Sequence, residues 1–233
     1  MSDSVRTGGT VGNDRPTVHV IDDDVSPREA LGLLLPSVGF DVRTYEAVQE
    51  FIAAGPHGSP GCIVLDVRMP GIDGLSFQSR REKLGIRLPV VLMTGHSDIP
   101  MAVRAMKAGA VDFLPKPFRD QDMIDAVIAA IQRDRERCAA DRVAAEFRDR
   151  YASLSPREQQ VMTLMTVGKM SKQIAFDLGL NVQTVKAHRC AVMQKMAAQT
   201  LTELVRMADA LALHATGLRS SKYLQQRVVG STA

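Results

Sequence analysis

Two kinds of hydrophobic spacing organise the chain. Up to about residue 115, short unbroken apolar runs alternate with longer stretches whose apolar residues recur every three or four positions. The runs lie at 17–21, 40–45, 62–66, 88–94 and 111–114, each bounded by turn residues. Continuous runs of this kind predict strands buried on both faces, as in a parallel sheet. The spacing between them predicts helices. The first opens on Ser26 as N-cap with Pro27 at the first helical position, buries Leu31, Leu34, Leu35 and Val38, and stops at Gly39. Others follow at 47–54, 74–83 and 98–107, the last with Pro100 in its first turn. Residues 55–61 are loop by their glycines and prolines. Strand and helix alternating five times is an α/β pattern, a doubly wound parallel sheet with helices on both faces.

Beyond Asp120 only helical spacing remains. Met123, Val127, Ile128 and Ile131 make an apolar stripe, and no Gly or Pro interrupts the charged, Ala-rich text that follows to Tyr151. A helix of about 30 residues would be about 45 Å long. Its second half reads as a solvated connector, or else as a contact between two copies through Cys138, Val143, Ala145 and Phe147. Four short helices come next. Ser155, Pro156 and Glu158 form a capping box before Val161, Leu164 and Met165, with Gly168 as the stop. Ser171 caps a second helix with Ile174, Ala175 and Leu178 inward. Asn181 caps a third at 182–196 with Val185, Val192 and Met196 inward. Leu201, Leu204, Val205 and Ala208 mark a fourth. The domain plan is a disordered tail at 1–15, an α/β domain at 16–133, a linker helix at 134–152, an all-α four-helix domain at 153–215 and a flexible tail at 216–233.

Charge separates the two halves. The net charge is +3, yet from Ser153 onward bases outnumber acids by six, which leaves −3 for the rest. The basic part is the one suited to a polyanion. Cys62, Cys138 and Cys190 are scattered without metal-ligand spacing, which suits a reducing compartment. Residues 1–15 lack the apolar core of a signal peptide, and no apolar run reaches the roughly 18 residues of a membrane span. A cytoplasmic protein without a membrane partner is the expectation.

The chemistry gathers at strand ends. The first strand runs into Asp22, Asp23 and Asp24, the third ends in Asp66, the fourth in Thr94, and Lys116 follows the fifth. Alone, Asp66 reads as a turn cap. With strand order 2-1-3-4-5, strands one and three are neighbours at the topological switch point, and Asp22, Asp23 and Asp66 converge. Three carboxylates so close call for a cation, and oxygen-only ligands suit Mg²⁺. Asp66 is then a candidate phosphoryl acceptor, with Lys116 and the Thr94 hydroxyl to hold the phosphoryl oxygens.

The motifs Val-Ile-Asp22-Asp23-Asp24, Leu-Asp66-Val-Arg-Met-Pro70-Gly-Ile-Asp-Gly74, Met-Thr94-Gly95-His96 and Phe113-Leu-Pro-Lys116-Pro117-Phe118 resemble the flavodoxin-like receiver domain of two-component response regulators. The resemblance implies phosphorylation of Asp66 by a sensor histidine kinase and no catalysis beyond that self-phosphorylation. It implies Mg²⁺ held by Asp23, Asp66 and the backbone carbonyl of Arg68, with Asp22 acting through water. Thr94 and Phe113 match the switch pair, Phe113 standing where Tyr is commoner, and the Lys116-Pro117 bond matches one that is usually cis. A haloacid-dehalogenase-type phosphatase would want a second Asp two residues after the nucleophile, where this chain has Arg68.

In the basic half, helix, turn and helix at 171–196 fit a DNA-binding helix-turn-helix or a solvated four-helix bundle. The pattern Leu154-Ser-Pro-Arg-Glu158, Gly168-Lys-Met-Ser-Lys172-Gln-Ile-Ala175, Asn181-Val-Gln-Thr184-Val185-Lys186-Ala187-His188-Arg189 and Met-Gln-Lys195-Met resembles the LuxR-type effector domain of the NarL/FixJ family, FixJ-type regulators above all. It implies that Lys186, Ala187 and Cys190 face bases, and that Lys172, Thr184, His188, Arg189 and Lys195 flank them or meet phosphates. Cys190 stands where a polar or basic residue is usual, and Asn181 where Ser is. The implied partners are a sensor histidine kinase, double-stranded promoter DNA, RNA polymerase and, on phosphorylation, a second copy, with transcriptional activation as the outcome. The alternatives are a receiver-containing RNA-binding antiterminator and a regulator whose second domain binds only protein.

Overall fold

The computed structural model describes residues 15–55, 60–70, 74–95 and 99–211. The tails expected at 1–15 and 216–233 lie outside these, Arg15 excepted, as do Gly71, Asp73 and His96 of the motifs. The elements run β1 (Thr17–Ile21), α1 (Val25–Ser37), β2 (Asp41–Tyr45), α2 (Val48–Ala53), β3 (Gly61–Asp66), α3 (Gly74–Arg80), β4 (Val90–Thr94), α4 (Ile99–Lys107), β5 (Asp112–Pro115), α5 (Asp120–Ala152), α6 (Pro156–Thr166), α7 (Ser171–Leu178), α8 (Val182–Lys195) and α9 (Leu201–Ala210). Contacts divide the chain into two units between Cys138 and Ala139, inside the 33-residue helix α5.

In the first unit the five parallel strands take the order β2-β1-β3-β4-β5. Alternate residues of each strand point to opposite faces. Val18, Val20, Cys62, Val64, Val91 and Met93 meet Leu31 and Leu35 of α1 and Met123, Val127 and Ile131 of α5. Ile21, Ile63, Leu65, Val90 and Leu92 meet Phe51 of α2, Phe77 of α3 and Ala105 of α4. Gly61 is required at the β1–β3 pairing, because a Cβ there would collide with the carbonyl of Thr17. The Gly61 N–H donates to Oδ2 of Asp134 at 3.0 Å, and Arg137 donates to Oδ1 of the same fully buried carboxylate at 2.7 Å. The sheet therefore holds α5 beyond residue 133.

Several local expectations change. Asp24, not Ser26, is the N-cap of α1: its Oδ1 accepts from the Ser26 N–H at 2.9 Å, because the helix starts at Val25, two residues before Pro27. Ser171 is the first residue of α7 and not its cap; Gln173 reaches back to the Met170 N–H at 2.8 Å. Val38 and Ile128 are exposed. Val38 is the C-cap of α1, past its last turn, and Ile128 stands one residue off the stripe that Met123, Val127 and Ile131 turn inward. Leu201, the first residue of α9, is also exposed, and Met207 takes the inward place.

The second unit has its own core. Leu154, Val161, Met162, Met165, Ile174, Val185, Val192, Met196, Leu204 and Met207 are buried together, and Phe147 and Tyr151 from the end of α5 pack on them. Phe147, one of the four residues of the possible contact between copies, packs within its own unit. The capping box of α6 forms as expected: Ser155 Oγ accepts from the Glu158 N–H at 3.3 Å, and Glu158 Oε2 accepts from the Ser155 N–H at 2.7 Å. Among the described residues no helix is long and apolar enough to cross a membrane.

Two outcomes follow for stability. Asp134→Ala leaves the Gly61 N–H unmatched in the interior, which is expected to cost about 1–3 kcal/mol and to speed amide exchange at Gly61; unchanged exchange would remove Asp134 from this role. The Lys195 ammonium bonded to Glu158, and then the Ser155 N–H, hold the Glu158 carboxyl below its usual range. A depressed folded value stabilises above the unfolded one, about 4.3, and that stability is lost as pH falls through the folded value. Glu158→Gln should lower the urea midpoint of the second unit at pH 7, with the gap to wild type narrowing as the pH falls below about 4.3. A gap constant over that range would contradict the assignment.

Candidate phosphoacceptor and nucleic-acid sites

Strand register builds the first site. Ile21 pairs with Leu65, so Asp22 and Asp66 leave adjacent strands side by side at their carboxyl ends. Thr94 ends β4 opposite Pro115, and the Lys116 N–H donates to the Thr94 carbonyl at 2.7 Å. That bond brings the Lys116 side chain back over the sheet edge. Its ammonium lies 2.5 Å from Asp22 Oδ2 and 3.2 Å from Asp66 Oδ1. The Lys116-Pro117 peptide is cis. Gly74 closes the loop after Asp66: a Cβ there would stand 2.5 Å from the Asp66 carbonyl.

Asp22 and Asp66 are buried while Asp23 is exposed, and one ligand atom from each lies within 4.8 Å of the others. The Asp24 N–H donates to Asp22 Oδ1 at 3.0 Å, and the Arg68 N–H to Asp66 Oδ2 at 3.1 Å. Burial pushes the Asp66 carboxyl above its ordinary range; Lys116 opposes that and Asp22 adds to it. Burial works to lower the Lys116 ammonium, but Asp22 first and Asp66 second outweigh it and raise it. Both directions fit a lysine that leans toward Asp22 and leaves Asp66 less compensated. All-carboxylate donors, one of them exposed, suit a hard divalent cation that keeps part of its water.

Thr94 is fully buried at the same edge, and Phe113 is half-buried against the core on the α3 and α4 side. A hollow of about 590 Å³ opens beside Asp23 and is lined by Arg68, Met69, Leu75, Met101 and Arg104, among others. Sequence reading missed Arg28 and Arg104. Arg28 is buried, donates to the Asp22 carbonyl and pairs with Glu46 at 2.9 Å, so it fixes the backbone that presents Asp22. A signal existed: Arg28 shares the inward line of Leu31 and Leu35 on α1.

The second site lies on α7 and α8. Gly179 takes φ +63° after α7, and Asn181 Oδ1 caps α8 by accepting from the Gln183 N–H at 2.8 Å. Val185 and Val192 face the core. Lys172, Thr184, Lys186, Ala187 and Cys190 are exposed, and His188 and Arg189 are half-buried. Lys195 is committed inside the unit, 2.7 Å from Glu158 Oε2. Lys172, Thr184 and Lys186 present charged and polar groups to solvent on α7 and α8.

Each unit matches a known family. Residues 18–128 match the response regulator receiver domain and 152–208 match the luxR family of bacterial regulatory proteins. The chain is 47% identical to nodulation protein W of Bradyrhizobium diazoefficiens over 208 residues, 89% of this chain and 92% of that protein. It is 40% identical to the response regulator protein TodT of Pseudomonas putida, over 88% of this chain and 91% of that one. Among solved structures, response regulator StyR matches with a TM-score of 0.71 at 44% identity, covering 84% of this chain and 98% of the other. Full-length FixJ from B. japonicum matches at 0.51 and 42%, covering 85% and 98%. The chain belongs to the two-component response regulators of the NarL/FixJ family and acts as a transcription factor, with an N-terminal receiver and a C-terminal LuxR-type helix-turn-helix.

Proposed function

We propose that a sensor histidine kinase phosphorylates Asp66 and that the modification turns on promoter binding and transcriptional activation by the second unit. The observation that carries the reading is the meeting of Asp22, Asp23 and Asp66 around the Lys116 ammonium. An Asp66 carboxylate oxygen attacks the phosphorus, the bond to the donor's imidazole nitrogen breaks, and that nitrogen keeps the electron pair. Lys116 moves toward the transferred group and, with the Thr94 hydroxyl, holds its oxygens. Asp23, Asp66 and the backbone carbonyl of Arg68 would hold Mg²⁺, with Asp22 acting through water; the ion supplies positive charge against the phosphoryl oxygens.

Thr94 and Phe113 are the switch pair in this reading. Drawing Thr94 toward the phosphoryl group frees space for Phe113 and alters the face of α4, which exposes Ile99, Val103 and Met106. That apolar strip supports dimerisation on phosphorylation, and a two-fold pair of second units would read half-sites about one DNA turn apart. Lys186, Ala187 and Cys190 face the bases, and Lys172, Thr184, His188 and Arg189 hold phosphates. Lys195 joins them only by leaving Glu158. RNA polymerase is the downstream partner, and the cytoplasm is where these partners meet.

Two measurements test the reading. Asp66→Asn is expected to lose all labelling by a small phosphodonor with Mg²⁺, and Lys116→Ala to slow it; labelling of Asp66→Asn at the wild-type rate would sink the proposal. Lys186→Ala should cost about 1–3 kcal/mol on specific DNA and far less on random sequence in a mobility-shift titration. An equal loss on all sequences would reassign Lys186 to a phosphate.

A further inference from the structure

The peptide that leads into the exposed carboxylate Asp23 leaves the sheet at the end of β1, and side chains outside the carboxylate cluster hold it. The Asp22 N–H still donates to the Tyr45 carbonyl of β2 at 3.2 Å. The Asp22 carbonyl accepts instead from Arg28 Nη1, at 2.5 Å. Two residues on, Asp24 is fixed as the N-cap of α1. Asp23 therefore stands between two fixed points. Because a peptide is planar, the grip on the Asp22 carbonyl also sets the plane that carries the Asp23 nitrogen.

Arg28 is itself held on two sides. It lies on the inward line of α1 with Leu31 and Leu35, and its side chain is only 11% exposed. A charge so buried needs partners. Besides the Asp22 carbonyl, its partner is Glu46 in the loop between β2 and α2, with Nη2 at 2.9 Å from Oε1. The Glu46 N–H in turn donates to Glu50 Oε2 at 2.9 Å. A guanidinium is a rigid planar fork, so anchoring one nitrogen on Glu46 aims the other at the Asp22 carbonyl. Glu46 also acts by charge. A guanidinium in contact with Asp22 repels a cation at the neighbouring carboxylates, and the Glu46 carboxylate offsets part of that repulsion. The Glu46 side chain is 70% exposed, so the ion pair adds little to the stability of the fold.

We propose that Arg28 is a positioning residue for the divalent cation: locked by Glu46, it sets the Asp22–Asp23 peptide and so keeps the Asp23 carboxylate in reach of Asp22 and Asp66. The inference rests on the Mg²⁺ reading of the proposed function and extends it to two side chains outside the carboxylate cluster. Position and charge predict opposite signs, which makes the role separable. If Arg28 acted only as a positive charge, it would weaken cation binding and its removal would tighten it. As a positioning residue, its removal frees the peptide and loosens the ion, as does the loss of other groups that orient metal ligands.

The test is calorimetric titration of the metal-free full chain with Mg²⁺ at constant ionic strength, at a temperature where circular dichroism shows each variant folded. Arg28→Met keeps an apolar stem and is expected to bind Mg²⁺ about tenfold more weakly than wild type. Arg28→Lys keeps the charge and the stem but not the fork, so position predicts a smaller loss and charge alone predicts none. Glu46→Gln, at the exposed end of the pair, should also weaken binding. Unchanged or tighter binding by Arg28→Met overturns the proposal, as does unchanged binding by Arg28→Lys or Glu46→Gln; these last two decide it if Arg28→Met does not fold. Wild type that takes up no Mg²⁺ overturns the cation reading itself, whereas wild-type binding matched by every variant overturns only the role of Arg28.

Discussion

Lys116 is the interaction on which the rest of the first unit's chemistry depends. Two carboxylate charges within 4.8 Å of one another repel by roughly 3 kcal/mol or more at an effective dielectric constant of about 20. Three such groups at a largely buried sheet edge would leave one protonated or the loops pushed apart. The ammonium between Asp22 and Asp66 removes that conflict, and it is placed by backbone: the fifth strand pairs with the fourth, and the Lys116 N–H bonds the Thr94 carbonyl. Lys116 sits closer to Asp22 than to Asp66, so Asp66 is the less compensated of the two.

The second unit repeats the idea in a smaller form. Glu158 closes the capping box of α6 and at the same time binds Lys195 near the end of α8. One carboxylate thereby fixes the start of α6 and the end of α8. Arg150, near the end of α5, donates to the Met196 carbonyl at 3.0 Å and ties the same helix end a second time. The end of α8 is therefore held by Glu158 and Arg150 while Lys172, Thr184 and Lys186 stay in solvent.

Much of this was legible in the sequence because strands buried on both faces announce themselves as unbroken apolar runs, and the order of polar residues after them named the site. Asp22, Asp66, Thr94 and Lys116 could be placed together from topology alone, since a parallel sheet sends all its strand ends to one edge. Local starts were harder. Ser26-Pro27 looks like a cap and first turn, yet Asp24 caps two residues earlier, because Asp and Ser compete for the same role and spacing alone does not decide between them. Arg28 and Asp134 were missed because charged residues on inward helix lines look like breaks in the stripe; only the tertiary contacts show a guanidinium on the Asp22 carbonyl and a carboxylate on the Gly61 N–H.

The central claim is that phosphorylation at one end of the chain governs DNA binding at the other. It is tested most directly by the affinity of the full chain for a selected promoter fragment, with and without a small phosphodonor and Mg²⁺, in wild type and in Asp66→Asn. The account predicts that the donor tightens binding by wild type at least tenfold and leaves Asp66→Asn unchanged. Equal affinity of wild type in both conditions, or an equal response of Asp66→Asn, would contradict it.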